Sequence, residues 1–209
     1  QPNQADQNNQ ANQPNQTNQT RPTHYNLYDH ANKLVLKETF PEQVSNSQLA
    51  RYLYYLGRIK AIQLDYSEAH KHLVQSLEKA PSSAIGFGHT VNKLSIIVQL
   101  LLGNIPDRNL FLQPASKEAL VSYFELTKAV RSGDVTKFEV VRAKYEDQFK
   151  ADRTFTLILR LHHNVIKTAI RRISLAYSRI SLSDVASKLN LESPKDAEYI
   201  IAKVINAYR

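Results

Sequence analysis

Apolar residues recur every three or four positions along most of the chain, which is the spacing of amphipathic helices. Proline, or a glycine followed by a proline, ends several of these patterns, and no alternating strand pattern is found in the sequence. We therefore predict an all-α fold. The predicted helices lie near residues 27–35, 49–64, 69–80, 87–102, 117–130, 135–149 and 155–180, and two shorter helices follow.

The segment 53–81 has the spacing of a tetratricopeptide (TPR) hairpin, in which two antiparallel helices pack closely. Small residues at Gly57 and Ala69 would allow the close approach, and Pro81 would end the second helix. Because one hairpin cannot bury its apolar faces alone, we expect a stack, with a degenerate further copy between residues 130 and 149. A protein-binding superhelix is the favoured interpretation, and an ordinary hairpin in a helical bundle is the alternative.

The last 29 residues, 181–209, predict a helix-turn-helix. Ser181 and Ser193 each stand three residues before an aspartate, which is the pattern of a capped helix N-terminus. So small a unit cannot bury its apolar faces, and we expect it to dock on the preceding helix. The second helix is expected to present an apolar stripe of Ala197, Ile200, Ile201, Val204 and Tyr208.

Composition narrows the classes of protein to be considered. The chain has no cysteine, which excludes disulfides, thiolate metal sites and cysteine nucleophiles and favours an intracellular compartment. Methionine is also absent, even at position 1, so we expect a fragment or a processed product. The most apolar stretch, 94–102, is far shorter than the ~20 residues of a membrane-spanning helix. We therefore expect no membrane segment and no secretory signal.

The N-terminal segment has low complexity. Thirteen of the first 20 residues are Gln or Asn, and we expect residues 1–24 to form a disordered tail. A tolerated terminal extension is favoured over an interaction segment.

No motif for catalysis or for metal binding occurs in the sequence. His70 and His72 fall on opposing sides of one predicted helix, and so do the adjacent His162 and His163. The sequence lacks HExxH, paired Cys/His spacing, a Walker motif and a nucleophile elbow. We predict that the chain is not an enzyme and holds no cofactor or metal ion.

The net charge of +8 is unevenly distributed. Residues 153–180 hold six Lys or Arg and no Asp or Glu, whereas residues 181–209 hold four of each. On a continuous helix several of these cations share one narrow face, which could meet an acidic protein partner or simply face solvent. The candidate protein-interaction residues are Arg160, Lys167, Arg171 and Arg179. Arg153, Arg160, Lys167 and Arg171 would share the narrow face, with Arg172 and Arg179 to one side.

DNA recognition by the helix-turn-helix is disfavoured. A recognition helix presents its N-terminal turn to the bases and phosphates, but this turn carries Asp196 and Glu198 against Lys195. We therefore expect protein contact in place of a nucleic-acid partner.

Several longer runs carry a family resemblance. Residues 54–64, 100–108, 163–168 and 177–182 closely resemble the PCI-domain lid subunits of the 26S proteasome regulatory particle, the non-ATPase regulatory subunit 3 family. The resemblance covers roughly residues 49–208. It implies TPR-like repeats followed by a winged-helix (PCI) module, whose wing strands and C-terminal helix we expect beyond Arg209. The expected domains are the tail at 1–24, the repeats at 25–152 and the linker helix with the truncated module at 153–209.

The resemblance also implies a function. PCI proteins of this kind are non-catalytic scaffolds, and we expect hetero-oligomeric assembly with other PCI-containing lid subunits in the cytoplasm and nucleus. The chain would then contribute to lid assembly and to ATP-dependent degradation of ubiquitinated proteins. The alternative is a nucleic-acid-binding winged-helix protein, or a subunit of another PCI complex such as the COP9 signalosome or a translation initiation factor.

Overall fold

A computed structural model of the chain describes residues 28–37 and 45–207, and every regular element within these ranges is an α-helix. The all-α prediction is confirmed. The predicted tail at 1–24, the helix stop at Pro41 and the apolar Tyr208 lie outside the described residues. The helices are α1 (Tyr28–Lys37), α2 (Asn46–Ile62), α3 (Tyr66–Lys79), α4 (Ile85–Leu102), α5 (Arg108–Leu112), α6 (Val121–Ser132), α7 (Val135–Lys144), α8 (Glu146–Ala151), α9 (Phe155–Ala176), α10 (Leu182–Leu189) and α11 (Pro194–Ala207).

Helices α2 and α3 form the close hairpin that the spacing predicted. Ala69 is fully buried, and a Cβ added at Gly57 would lie 2.9 Å from Leu73 Cγ and 3.1 Å from the Ala69 carbonyl oxygen. Any side chain at position 57 would therefore push the two helices apart. The small residues set the distance between α2 and α3.

This contact predicts opposite effects for two glycine-to-alanine changes. Gly57→Ala should lower the free energy of unfolding by about 1 kcal/mol, because overpacking outweighs the higher helix propensity of alanine. Gly88→Ala, in α4, should raise it by about 0.5–1 kcal/mol, because no described atom lies within 4 Å of the new Cβ. Urea denaturation of both variants measures the difference, and an increase in stability at both positions would contradict the close crossing.

Helix α4 lies at the centre of the repeat region. By length and composition alone this 18-residue helix, with a mean hydropathy of 1.3, could cross a membrane, but a core helix passes the same test. It packs against α3, α6 and α9. Its most buried apolar residues, at most 3% exposed, are Val91, Leu94, Ile96, Ile97, Val98 and Leu100. We therefore interpret α4 as a core helix.

Some helix boundaries differ from the prediction. The single helix expected at 135–149 is wrong, because Tyr145 separates α7 from α8. Helix α5 was not predicted, since five residues carry too short a periodicity. It begins after Asp107, whose side chain accepts from the Asn109 amide, and it buries Phe111 against the Phe124 ring at 5.0 Å. The long helix α9 ends at Ala176, not near 180.

The predicted helix-turn-helix is confirmed. Ser181 Oγ accepts from the Asp184 amide at 3.1 Å, and Ser193 Oγ accepts from the Asp196 amide at 3.2 Å, so both predicted N-caps form. Helix α10 ends at Asn190, which adopts a left-handed conformation with φ +53°. The unit packs against α9. Val185, Ala186, Leu189, Ala197 and Val204 of this unit are buried, and all of them except Val204 belong to the main hydrophobic core.

Candidate protein-interaction surface

The basic residues near α9 do not form one continuous face. Arg153 precedes the helix, with φ +55°, and its carbonyl accepts a hydrogen bond from Arg58. Arg179 follows the helix, in the segment that leads to α10. The predicted face is therefore wrong for Arg153, because α9 begins at Phe155. Arg179, which was expected to one side of that face, lies beyond the end of the helix at Ala176.

Arg160 is engaged within the fold. Its Nη1 donates to the carbonyl oxygen of Ile62 at 3.3 Å, across 98 positions of sequence. Ile62 is the last residue of α2, where carbonyls lack helical partners and carry the negative end of the helix dipole. Arg160 therefore stabilises the end of α2, although Arg160 itself is largely exposed to solvent.

Lys167 and Arg171 line a groove of about 460 Å³, here called the basic groove. Arg131, at the end of α6, adds a third cation. Among the described residues, none of the groove's lining is a carboxylate. The groove also has an apolar part, which consists of Leu101, Leu102, Ile105 and Val130. Such a surface suits a ligand that carries negative charge beside an apolar group.

Asn164 holds the two sides of the basic groove together. Its Nδ2 donates to the carbonyl oxygens of Leu100 and Leu101 at 3.0 Å each. These carbonyls lie in the last turn of α4, and the Leu100 carbonyl also accepts from the Gly103 amide at 3.1 Å. A side chain of α9 thus satisfies the end of α4 and fixes the position of Lys167, one turn along the same helix.

Positive charge also extends from α9 towards the helix-turn-helix. The pKa of His163 is lowered from its usual value by partial burial, and further by the charges of Lys167 and Lys203. Lys203 belongs to α11. The charges of α9 and α11 therefore reinforce each other on this side of the molecule.

Arg179 lies in a different place. It lines an open groove of about 660 Å³ with Tyr177, Asp184 and Lys188, between the end of α9 and α10. Lys188 Nζ lies 5.2 Å from the centroid of the Tyr177 ring, a cation–π contact. Since Asp184 contributes a negative charge, this groove lacks the uniform sign of the basic groove.

The N-terminal turn of α11 is exposed and acidic. Lys195, Asp196 and Glu198 are all exposed, so the geometry keeps the charges that disfavour DNA. Tyr199 and Ile205 of the same helix are 69% and 53% exposed. Within the described residues no group of three or more His, Asp or Glu side chains could hold a metal ion. The absence of a cofactor and of enzymatic activity stays a prediction.

Sequence reasoning grouped the cations of α9 but missed Arg131 and the apolar part of the basic groove. Arg131 lies 36 positions before Lys167, and no local pattern links them. The sequence signal that indicated this contact was Gly133 at the end of α6, because a glycine there allows another helix to approach closely.

Comparison with known proteins identifies the family. Residues 22–127, just over half of the chain, match the family described as PSMD3-like, N-terminal TPR repeats, and residues 142–209 match the PCI domain. Over 183 residues the chain is 60% identical to the probable 26S proteasome non-ATPase regulatory subunit 3 of Anopheles gambiae and 58% identical to that of Drosophila melanogaster. It is 52% identical over 183 residues to the probable 26S proteasome regulatory subunit rpn3 of Schizosaccharomyces pombe.

Each of these alignments covers 87% of the chain but 37% of the relative, so the chain spans little more than a third of the length of the proteins it matches. The repeat match and the PCI match agree with the resemblance seen in the sequence. The chain therefore belongs to the PSMD3-like family of TPR-repeat and PCI-domain proteins.

Proposed function

We propose that this chain is part of a non-catalytic scaffold subunit in the lid of the 26S proteasome regulatory particle. The observation that carries the proposal is the family match, together with relatives that are named as regulatory subunit 3 of the 26S proteasome. In this proposal the chain assembles with other PCI-containing lid subunits in the cytoplasm and nucleus. It contributes to ATP-dependent degradation of ubiquitinated proteins by holding the lid together.

Exposed apolar side chains on the PCI module support a docking role. Tyr199 and Ile205 on α11 and Leu182 on α10 are 69%, 53% and 40% exposed. Large apolar and aromatic side chains are enriched at protein interfaces, where their burial contributes to association. A neighbouring PCI module would cover them and would need little charge complementarity to do so.

The basic groove is the second element of the proposal. Lys167 and Arg171 would meet an acidic surface of a neighbouring subunit, with Arg131 as a third contact. Arg160 is already engaged with α2, and Arg179 lies in the other groove, so we expect smaller contributions from both. The competing interpretation, a solvated cationic face, predicts no effect of reversing these charges.

The alternative function is nucleic-acid binding by the winged helix, or membership of another PCI complex. The exposed Asp196 and Glu198 on α11 disfavour nucleic acid, because both would face phosphates. Salt separates the two functions, since each phosphate contact releases a counterion and steepens the salt dependence of binding.

Co-purification tests the proposal. The complete subunit that contains this segment, carrying an affinity tag, should recover lid subunits in moderate salt and should show no sequence-selective binding to duplex DNA. Lys167→Glu together with Arg171→Glu should lower lid recovery by about tenfold, the effect of removing one or two close charge pairs at an interface. The reason is that like charges would then face each other.

A matched control makes the same charge change elsewhere. Lys79→Glu together with Lys117→Glu alters two exposed lysines on other parts of the fold and should leave lid recovery unchanged. Asp196→Lys together with Glu198→Lys should also preserve recovery. Equal recovery for the groove variant and the control would identify the cations as a solvated face. Tight DNA binding without any lid subunit would overturn the whole proposal.

A further inference from the structure

The last turn of α9 carries a sequence pattern that the scaffold role does not use. Residues 171–175 read Arg-Arg-Ile-Ser-Leu. Two arginines thus stand three and two positions before Ser174, and an apolar residue follows it directly. Basophilic serine/threonine kinases select this arrangement, because carboxylates in their substrate cleft pair with the arginines and an apolar pocket takes the residue after the acceptor.

The pattern occurs once. Of all serines and threonines in the sequence, Ser174 alone has arginine at both the second and third preceding positions. Thr156 has Arg153 three positions before it but Thr154 two before, and Ser181 has Arg179 two before but Ser178 three before. A kinase that needs both arginines would therefore select one acceptor.

The fold leaves the pattern accessible. Arg171, Arg172 and Ser174 are exposed, and Leu175 is 80% exposed, the most exposed of the large apolar side chains in the described residues. No Asp or Glu occurs between residues 153 and 180 to compete for the arginines along the chain. Only Ile173 in this segment packs against the core, and it is partly buried.

The position at a helix end allows the segment to open. A kinase cleft takes its acceptor in an extended segment, so the final turn of α9 must unwind locally. Besides the backbone hydrogen bonds of the last turn of α9 itself, three further hydrogen bonds have to break. Ser174 Oγ donates to the Arg171 carbonyl at 2.8 Å, the Tyr177 amide donates to the Ile173 carbonyl at 2.9 Å, and Arg172 donates to the Ser132 carbonyl.

We propose that Ser174 is a phosphorylation site for a basophilic serine/threonine kinase that uses ATP. Ser174 Oγ attacks the γ-phosphorus of ATP, the new O–P bond forms, and the bond from the γ-phosphorus to the β–γ bridging oxygen breaks. ADP leaves, and the serine proton passes to the catalytic carboxylate of the kinase. The product places about two negative charges one turn after Arg171, which faces the same side of the helix and pairs with the phosphate.

The test uses the full 209-residue chain, magnesium-ATP and the catalytic subunit of cyclic-AMP-dependent protein kinase as a representative basophilic kinase. Intact-mass spectrometry should show one added phosphate, and fragmentation should place it on Ser174. Ser174→Ala should abolish it, whereas Ser178→Ala, at an exposed serine with no arginine at the second or third preceding position, should leave the rate unchanged. Arg171→Ala should lower kcat/KM by about tenfold or more, as expected for loss of one charged hydrogen bond.

A peptide of residues 168–178 separates the pattern from the fold. Phosphorylation of both the peptide and the folded chain, at Ser174, supports the proposal. Phosphorylation of the peptide alone would overturn it, because the fold would then shield Ser174. Modification of the chain at another residue, or no modification of either substrate, would overturn it as well. Circular dichroism of Ser174→Ala should match the wild type, which excludes unfolding as the cause of a lost signal.

Discussion

Replacing Asp152 by alanine is expected to lower the free energy of unfolding by about 3 kcal/mol. The Asp152 carboxylate accepts hydrogen bonds from Lys93 Nζ at 2.8 and 2.9 Å and from the Tyr123 hydroxyl at 2.9 Å. Tyr123 is fully buried, and the side chains of Lys93 and Asp152 are only 17% and 21% exposed. The alanine variant would leave a largely buried ammonium without its counterion, which is the main reason for the large effect.

This interaction joins elements that are distant in sequence. Lys93 belongs to α4, Tyr123 to α6, and Asp152 follows α8 directly before the start of α9. Thr154 Oγ1 completes the group at 3.0 Å from the Tyr123 hydroxyl. The carboxylate therefore ties the repeat region to the beginning of the helix that carries the PCI module.

Urea denaturation measures the effect, and two variants control it. Asp147→Ala makes the same chemical change at an exposed position of α8 and should alter stability by less than about 0.5 kcal/mol. Asp152→Asn keeps hydrogen-bonding oxygen but removes the charge, and should fall between the wild type and Asp152→Ala. Equal unfolding midpoints for Asp147→Ala and Asp152→Ala would show that the carboxylate contributes nothing.

The same group makes stability sensitive to alkaline pH. Burial raises the pKa of Tyr123 above its usual value, and the nearby Asp152 charge raises it further. Because the pKa is higher in the folded state, the contribution is complete below the unfolded pKa of about 10 and declines as pH rises above it. Tyr123→Phe should therefore lose stability less steeply than the wild type above pH ~10.

Local sequence signals predicted local structure well. Ser181 and Ser193 each accept from the amide three residues further on, so the helix-turn-helix could be recognised from its own sequence alone. Gly57 and Ala69 predicted the α2–α3 crossing because small residues at these positions let two helices pack closely. In both cases the information lies within one or two turns of the residues concerned.

Contacts between distant segments could not be predicted in this way. Lys93 and Asp152 are 59 positions apart, and neither belongs to a pattern that requires the other. The basic groove needs Arg131 beside Lys167, which depends on how α6 approaches α9. The predicted cationic face is wrong at Arg153 for a related reason, because charge alone does not determine where a helix begins.

The approach of α6 to α9 depends on one glycine, and replacing that glycine should destabilise the fold strongly. Gly133 ends α6 with φ +61°, and a Cβ added there would lie 2.8 Å from the Ala169 nitrogen and 3.0 Å from Ala169 Cα. These are backbone atoms of α9, so no side-chain rotation can make room. Gly133→Ala should lower the free energy of unfolding by about 2–5 kcal/mol, the sum of left-handed strain and overpacking.

Gly103 provides the matched control, because it ends α4 with φ +89° and no described atom lies within 4 Å of its added Cβ. Gly103→Ala should therefore show left-handed strain alone, about 1–2 kcal/mol. Asparagine tolerates this conformation, so Gly103→Asn should recover much of the loss, whereas Gly133→Asn should not. Comparable unfolding midpoints at the two positions in urea would contradict the backbone contact. Adding Ala169→Gly to Gly133→Ala should give no rescue, since the contact involves the backbone of residue 169 and not its methyl group.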